Sequence, residues 1–108
     1  MRKISFKISR EIVQALAHLC AHSLQHRSGD NLFDYWLRDN VENLLLKLAK
    51  LRNKTARKFS ISLNLTEIIL VREITDIRIL TAPEAPEVLF SKEYILTPAL
   101  SFIVPTCS

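Results

Sequence analysis

The chain has 108 residues, 48% hydrophobic and 24% charged, with one glycine, Gly29, and a net charge of +4. The length fits a single domain, residues 1–108, which buries roughly two thirds of its unfolded surface without disulfides or a structural metal. One glycine excludes a Walker loop, a dinucleotide fingerprint and a nucleophile elbow. Each of those needs several, because backbone must approach phosphate or turn sharply there.

The charge is unevenly placed. Residues 1–58 carry 12 basic and 5 acidic side chains, and residues 59–108 carry 3 and 6. The first half is therefore +7 and the second −3, which points to an anionic partner for the first half or to contact between the halves. Cys20 and Cys107 form neither a disulfide framework nor a CxxC metal site. Met1–Lys7 lacks the apolar run of a signal peptide, and Tyr94–Ser108 is too short and too proline-bearing to span a bilayer. The expectation is a reduced, cytoplasmic, soluble protein with no membrane insertion and no cofactor.

Residues 3–8 alternate, with Ile4, Phe6 and Ile8 on one side and Lys3, Ser5 and Lys7 on the other, as in a half-buried strand. Ser9 stands at an N-cap position, and a helix follows to about His26 with Ile12, Val13, Leu16, Leu19, Cys20 and Leu24 on its core face. Ser28-Gly29-Asp30-Asn31 forms the connection, and Asn31 can cap a second helix from Leu32 to Asn53. That helix carries the stripe Phe33, Leu37, Val41, Leu44, Leu48 and Leu51, whose steps of four and three resemble a coiled-coil seam.

Residues 58–65 alternate again: Phe59, Ile61, Leu63 and Leu65 against Ser60, Ser62 and Asn64. Arg2-Lys3-Ile4-Ser5-Phe6-Lys7-Ile8 and Arg57-Lys58-Phe59-Ser60-Ile61-Ser62-Leu63 share one pattern. This is either a weak internal repeat or two strands meeting similar demands. Two such strands can pair with each other or with a second copy of the chain. Residues 66–81 are β-branched enough for strand, yet Leu70, Ile74 and Ile77 fit a helical stripe, and helix is the choice. Pro83 and Pro86 mark a loop over 82–87, before a helical candidate from Ser91 and a last helix with Thr97 as cap and Pro98 at its first position. The fold expected is α+β and helix-dominated, ordered strand-helix-helix-strand-helix with a short C-terminal helical segment and a small two-stranded ribbon or sheet.

Four features bear on function. His18, His22 and His26 share one helical stripe, where two rings could chelate zinc with ligands from elsewhere. A polar helix face that uses histidine is the plainer reading, so no metal site is assigned. Enzymatic chemistry at the histidine face ranks third among functions, and no catalytic residue is named. Lys47, Lys50, Lys54, Arg57 and Lys58 share one side of a helical wheel without an intervening acid, which suits contact with phosphates or an acidic partner. Tyr35, Trp36 and Leu46 lie off the main stripe of the second helix, as interface anchors do.

The order of Lys3–Ile8 strand, capped helix, Gly29 turn and second helix resembles the ribbon-helix-helix DNA-binding proteins over about residues 1–50. In that family, strands from two chains pair and enter the major groove. The resemblance implies that Lys3, Ser5 and Lys7 face DNA and that the helix start near Asn31 touches phosphate. Both helices are longer than that fold uses, and a second strand remains to be placed. The leading expectation is a non-catalytic binding or adaptor protein, self-associating as a homodimer and holding a protein partner on the second helix. A DNA-binding regulator is the alternative.

Overall fold

The computed structural model describes residues 3–26, 31–54 and 57–103. Strand β1 (Lys3–Ser9) runs directly into helix α1 (Arg10–His26), and helix α2 (Leu32–Arg52) leads to strand β2 (Lys58–Asn64). Helix α3 (Leu65–Thr81) and helix α4 (Pro86–Ser91) follow, and a π-turn (Lys92–Leu96) joins α4 to helix α5 (Thr97–Ile103). This is the α+β, helix-dominated order expected from the sequence.

The two strands pair with each other. They form one antiparallel ribbon in which every residue has a partner, from Lys3 opposite Asn64, through Phe6 opposite Ile61, to Ser9 opposite Lys58. Phe6, Ile8, Phe59, Ile61 and Leu63 are buried on its inner face. Lys3, Ser5, Lys7, Lys58 and Ser60 are exposed on its outer face. A slip of one residue in either strand would turn that strand's apolar side chains to water, so burial itself holds this register.

The second half repeats the first. Each boundary in β2 and α3 lies 55 residues after its counterpart: Lys3 and Lys58, Ser9 and Asn64, Arg10 and Leu65, His26 and Thr81. Burial repeats with it, since Val13, Leu16, Leu19 and Cys20 of α1 match Ile68, Val71, Ile74 and Thr75 of α3, and all eight are buried. The ribbon register obeys the same relation, because Phe6 and Ile61 are both counterparts and partners. A pseudo-two-fold axis therefore passes between them. The similarity of the two strand segments is part of a structural repeat of strand and helix within one chain.

The core lies under the ribbon, between the helices. Leu37, Val41, Leu44 and Leu48 bury one face of α2 against it, with Leu51 partly buried. Each fully buried side chain of this size contributes about 1.5–3 kcal/mol of transfer free energy. Residues 65–81 adopt helix despite their β-branching, because Asn64 and Glu67 close a capping box at the start. Helical periodicity then brings Ile68, Val71 and Ile74 to the core together.

Three expectations need correction. Phe33 does not join the core stripe. It is 47% exposed and stacks on Trp36, while Asp34 and Leu37 beside it on α2 are buried. The proline loop is shorter than 82–87. Pro86 is the first residue of α4, where its missing N–H costs nothing, so the connection is 82–85. No break occurs at Thr97 and Pro98 either. The π-turn sends the Thr97 N–H back to the Lys92 carbonyl, and the helical path continues through Pro98.

Candidate nucleic-acid interface

Alternation in β1 and β2 sends every second side chain outward, and antiparallel pairing sets the two outward rows side by side. The resulting face carries Lys3, Ser5, Lys7 and Ser9 from β1, and Lys58, Ser60, Ser62 and Asn64 from β2. Each of these is basic, a hydroxyl or an amide, and none is a carboxylate. Ser5 Oγ and Ser62 Oγ share a hydrogen bond at 3.1 Å across the strands. The Asn64 side-chain oxygen is taken up by the Glu67 N–H at 2.9 Å, as the cap of α3.

The two ends of the ribbon differ. At the Ser9–Lys58 end, the Arg10 N–H donates to the Arg57 carbonyl at 3.2 Å, and the Arg10 guanidinium donates to the Lys54 carbonyl. These bonds gather Arg10, Lys54 and Arg57 beside Lys58, and all four are exposed. A hollow of about 350 Å3 adjoins them, lined by Lys7, Ile8, Ser9, Ile12, Lys58 and Tyr94. At the Lys3–Asn64 end, Lys47 Nζ lies 3.1 Å from Glu67 Oε2 and also donates to the Ser62 carbonyl. Its charge is balanced there.

The basic run read from the sequence is thus split. Helix α2 ends at Arg52, so no single helical face carries all five cations. Lys54, Arg57 and Lys58 belong to the ribbon end. Lys50 remains exposed on α2, and Lys47 serves the joint between α2, β2 and α3. Asn31 is exposed and its side-chain oxygen accepts from the Asp34 N–H at 2.9 Å, so it caps α2 as expected. Sequence reasoning isolated Lys3, Ser5 and Lys7, but missed Arg10 and the outward residues of β2 as members of the same surface. The alternation of Ser60, Ser62 and Asn64 was the available signal. What it lacked was the pairing partner.

On α2, Tyr35 is 60% and Leu46 64% exposed, and Trp36 stacks on Phe33 with ring centroids 5.7 Å apart. Leu32 is exposed as well, so the start of α2 carries four exposed apolar side chains, and Leu46 lies farther along the helix. The histidine stripe does not act as one unit. His18 Nε2 lies 3.7 Å from Glu87 Oε1, which Arg78 Nε holds at 2.9 Å, and His22 is half-buried. The His26 side chain lies outside the described residues. Among the described residues, no three side chains of metal-ligating type converge. Cys20 is a buried free thiol whose pKa burial pushes up to about 12, which leaves it a poor nucleophile.

Comparison with protein-family models, with curated proteins and with solved structures finds no match to this chain. Among the described residues, no helix is long and apolar enough to cross a membrane.

Proposed function

We propose that the protein binds duplex DNA by laying the outer face of its ribbon in the major groove, and that it acts as a non-catalytic regulator. The observation that carries this reading is the ribbon itself, formed within one chain, with an outward face free of carboxylates and flanked by Arg10, Lys54 and Arg57. The dimensions suit the groove. Two strands about 4.8 Å apart, with their side chains, fit a channel about 12 Å wide. Lysine can donate to guanine O6 and N7 and serine to any base edge, while the flanking cations meet phosphates and set the register. The homodimer expected from the sequence is not needed to complete the ribbon. A reducing, cytoplasmic setting accords with the free Cys20 thiol.

Titration of labelled random duplex between about 50 and 200 mM salt tests this reading, because affinity falls with a log–log slope of roughly 0.9 for each phosphate neutralised. We expect Lys54→Ala to lower the slope by about one and weaken binding uniformly across sequences. No binding at the lowest salt overturns the proposal.

The exposed Leu32, Tyr35 and Trp36 at the start of α2, with Leu46 farther along it, favour a second reading, in which this helix holds a protein partner or a second copy of the chain. Light scattering of the wild type and Trp36→Ala tests self-association. A monomer at every concentration leaves only a different protein for this face.

A further inference from the structure

Two copies of one half, related by a two-fold axis, read a palindrome when their outward residues match. Here they match at Lys3 and Lys58 and at Ser5 and Ser60. They differ at the next positions, where Lys7 corresponds to Ser62, Ser9 to Asn64, and Arg10 to Leu65. The axis between Phe6 and Ile61 therefore divides the outward face into unequal halves. One half holds Lys7, Ser60, Ser9 and Lys58. The other holds Lys3, Ser5, Ser62 and Asn64.

Internal bonds deepen the difference. In the second half, Ser5 and Ser62 are bonded to each other and the Asn64 oxygen is committed to the cap of α3, so Lys3 is its one free cationic donor among the described residues. Beyond it stand exposed Leu65 and the balanced pair of Lys47 and Glu67. In the first half, Lys7 and Lys58 flank a hollow that also offers Ser9 and Tyr94, and Arg10, Lys54 and Arg57 stand next to it.

We infer that one chain reads one non-palindromic duplex site in a single orientation, with the Lys7–Lys58 half of the ribbon supplying most of the contacts. This rests on the DNA reading of the same face. The internal repeat keeps the frame of a two-fold reader, and its unlike outward side chains remove the two-fold target. Each chain then carries a polarity along the groove that a symmetric dimer cannot have.

The test is selection of bound sites from duplexes with about ten randomised base pairs, one helical turn. Stoichiometry by light scattering and binding of alanine variants to the selected site follow. The expected consensus lacks inverted symmetry and binds one chain per duplex. Lys7→Ala weakens that complex by about five- to 150-fold, the range of one good base contact, and Lys3→Ala by clearly less. Ser62→Lys, which makes the two halves alike at that position, raises affinity for a palindrome built from the stronger half-site. A palindromic consensus, two chains per site, or equal losses from Lys3→Ala and Lys7→Ala overturns the inference and leaves the DNA reading standing. Failure to bind any duplex at low salt overturns both. Circular dichroism of each variant shows whether these surface changes leave the fold intact.

Discussion

At the scale of single residues, Glu87 shows how local electrostatics tie the two halves together. It sits buried at the start of α4, with the Arg78 guanidinium from α3 and the His18 ring from α1 against its carboxylate. Burial pushes its pKa up, but the backbone hydrogen bond, the Arg78 hydrogen bond and the charges of His18 and Arg78 outweigh it, and the net shift is downward. A carboxylate with a lowered folded-state pKa stabilises the fold above its unfolded value, and that contribution is lost as pH falls through the folded value. Glu87→Gln is expected to cost about 1–3 kcal/mol at neutral pH, the worth of hydrogen bonds to a charged group. The gap to the wild type should close as pH drops below the carboxylate range. Urea unfolding of both proteins from neutral pH into acid checks this. A second contact of the same kind was invisible in the sequence. Thr75 donates to the Val71 carbonyl at 2.6 Å and meets Ser91 Oγ at 2.7 Å inside the core. Thr75 and Cys20 hold equivalent positions, and apolar patterning made Cys20 legible as core. A hydroxyl carries no such signal until its partner on α4 is known.

At the scale of elements, the helices and strands were legible where periodicity was clean and obscure where proline intervened. The alternation of residues 3–8 and 58–64 and the stripe of α1 depend on local pattern alone, and the structure follows them, but Leu65, expected as the last inward residue of the strand, starts α3 and is exposed. The Pro83–Pro98 region depends on competition among positions. Pro86 can start a helix and Pro98 cannot easily sit inside one, because its ring crowds the carbonyl four residues earlier and it has no N–H to donate. The π-turn over Lys92–Leu96 absorbs this conflict by carrying an extra residue just before the proline. The cap of α3 makes the sharper test at this scale. Asn64 accepts from the Glu67 N–H, and Glu67 accepts from the Asn64 N–H at 3.0 Å. Removing one side of this box in Asn64→Ala should lower stability by about 0.5–2 kcal/mol. Asn64→Ser, which can still cap, should recover most of it. Thermal unfolding of the two variants distinguishes a lost cap from a lost ribbon contact, since both remove the amide. The same pair should leave DNA affinity nearly unchanged, because the amide oxygen is already committed to the helix and this end of the ribbon supplies the fewer contacts.

At the scale of the whole molecule, the question is what each half can do alone. Residues 1–54 contain a strand with two unpaired edges and α1 without α3 and α4, against which it packs in the full chain. A lone strand cannot satisfy its backbone hydrogen-bonding groups, and Phe6 and Ile8 would lose their cover. Yet Phe6 lies on the pseudo-two-fold axis, so a second copy of the same half can offer the same strand in the same antiparallel register. The isolated segment should therefore have no folded monomer. It should be largely unfolded when dilute and gain helix only as it dimerises. The full chain avoids this dependence, because the short link over residues 53–57 holds the halves together at an effective concentration of roughly millimolar. Helix content and mass of residues 1–54, followed by circular dichroism and light scattering over a concentration series, give the answer. A folded monomer at low concentration would mean that the ribbon is an accessory to a self-sufficient helical pair. Concentration-dependent folding would mean that the ribbon is the seam of a dimer-like pair of halves joined into one chain.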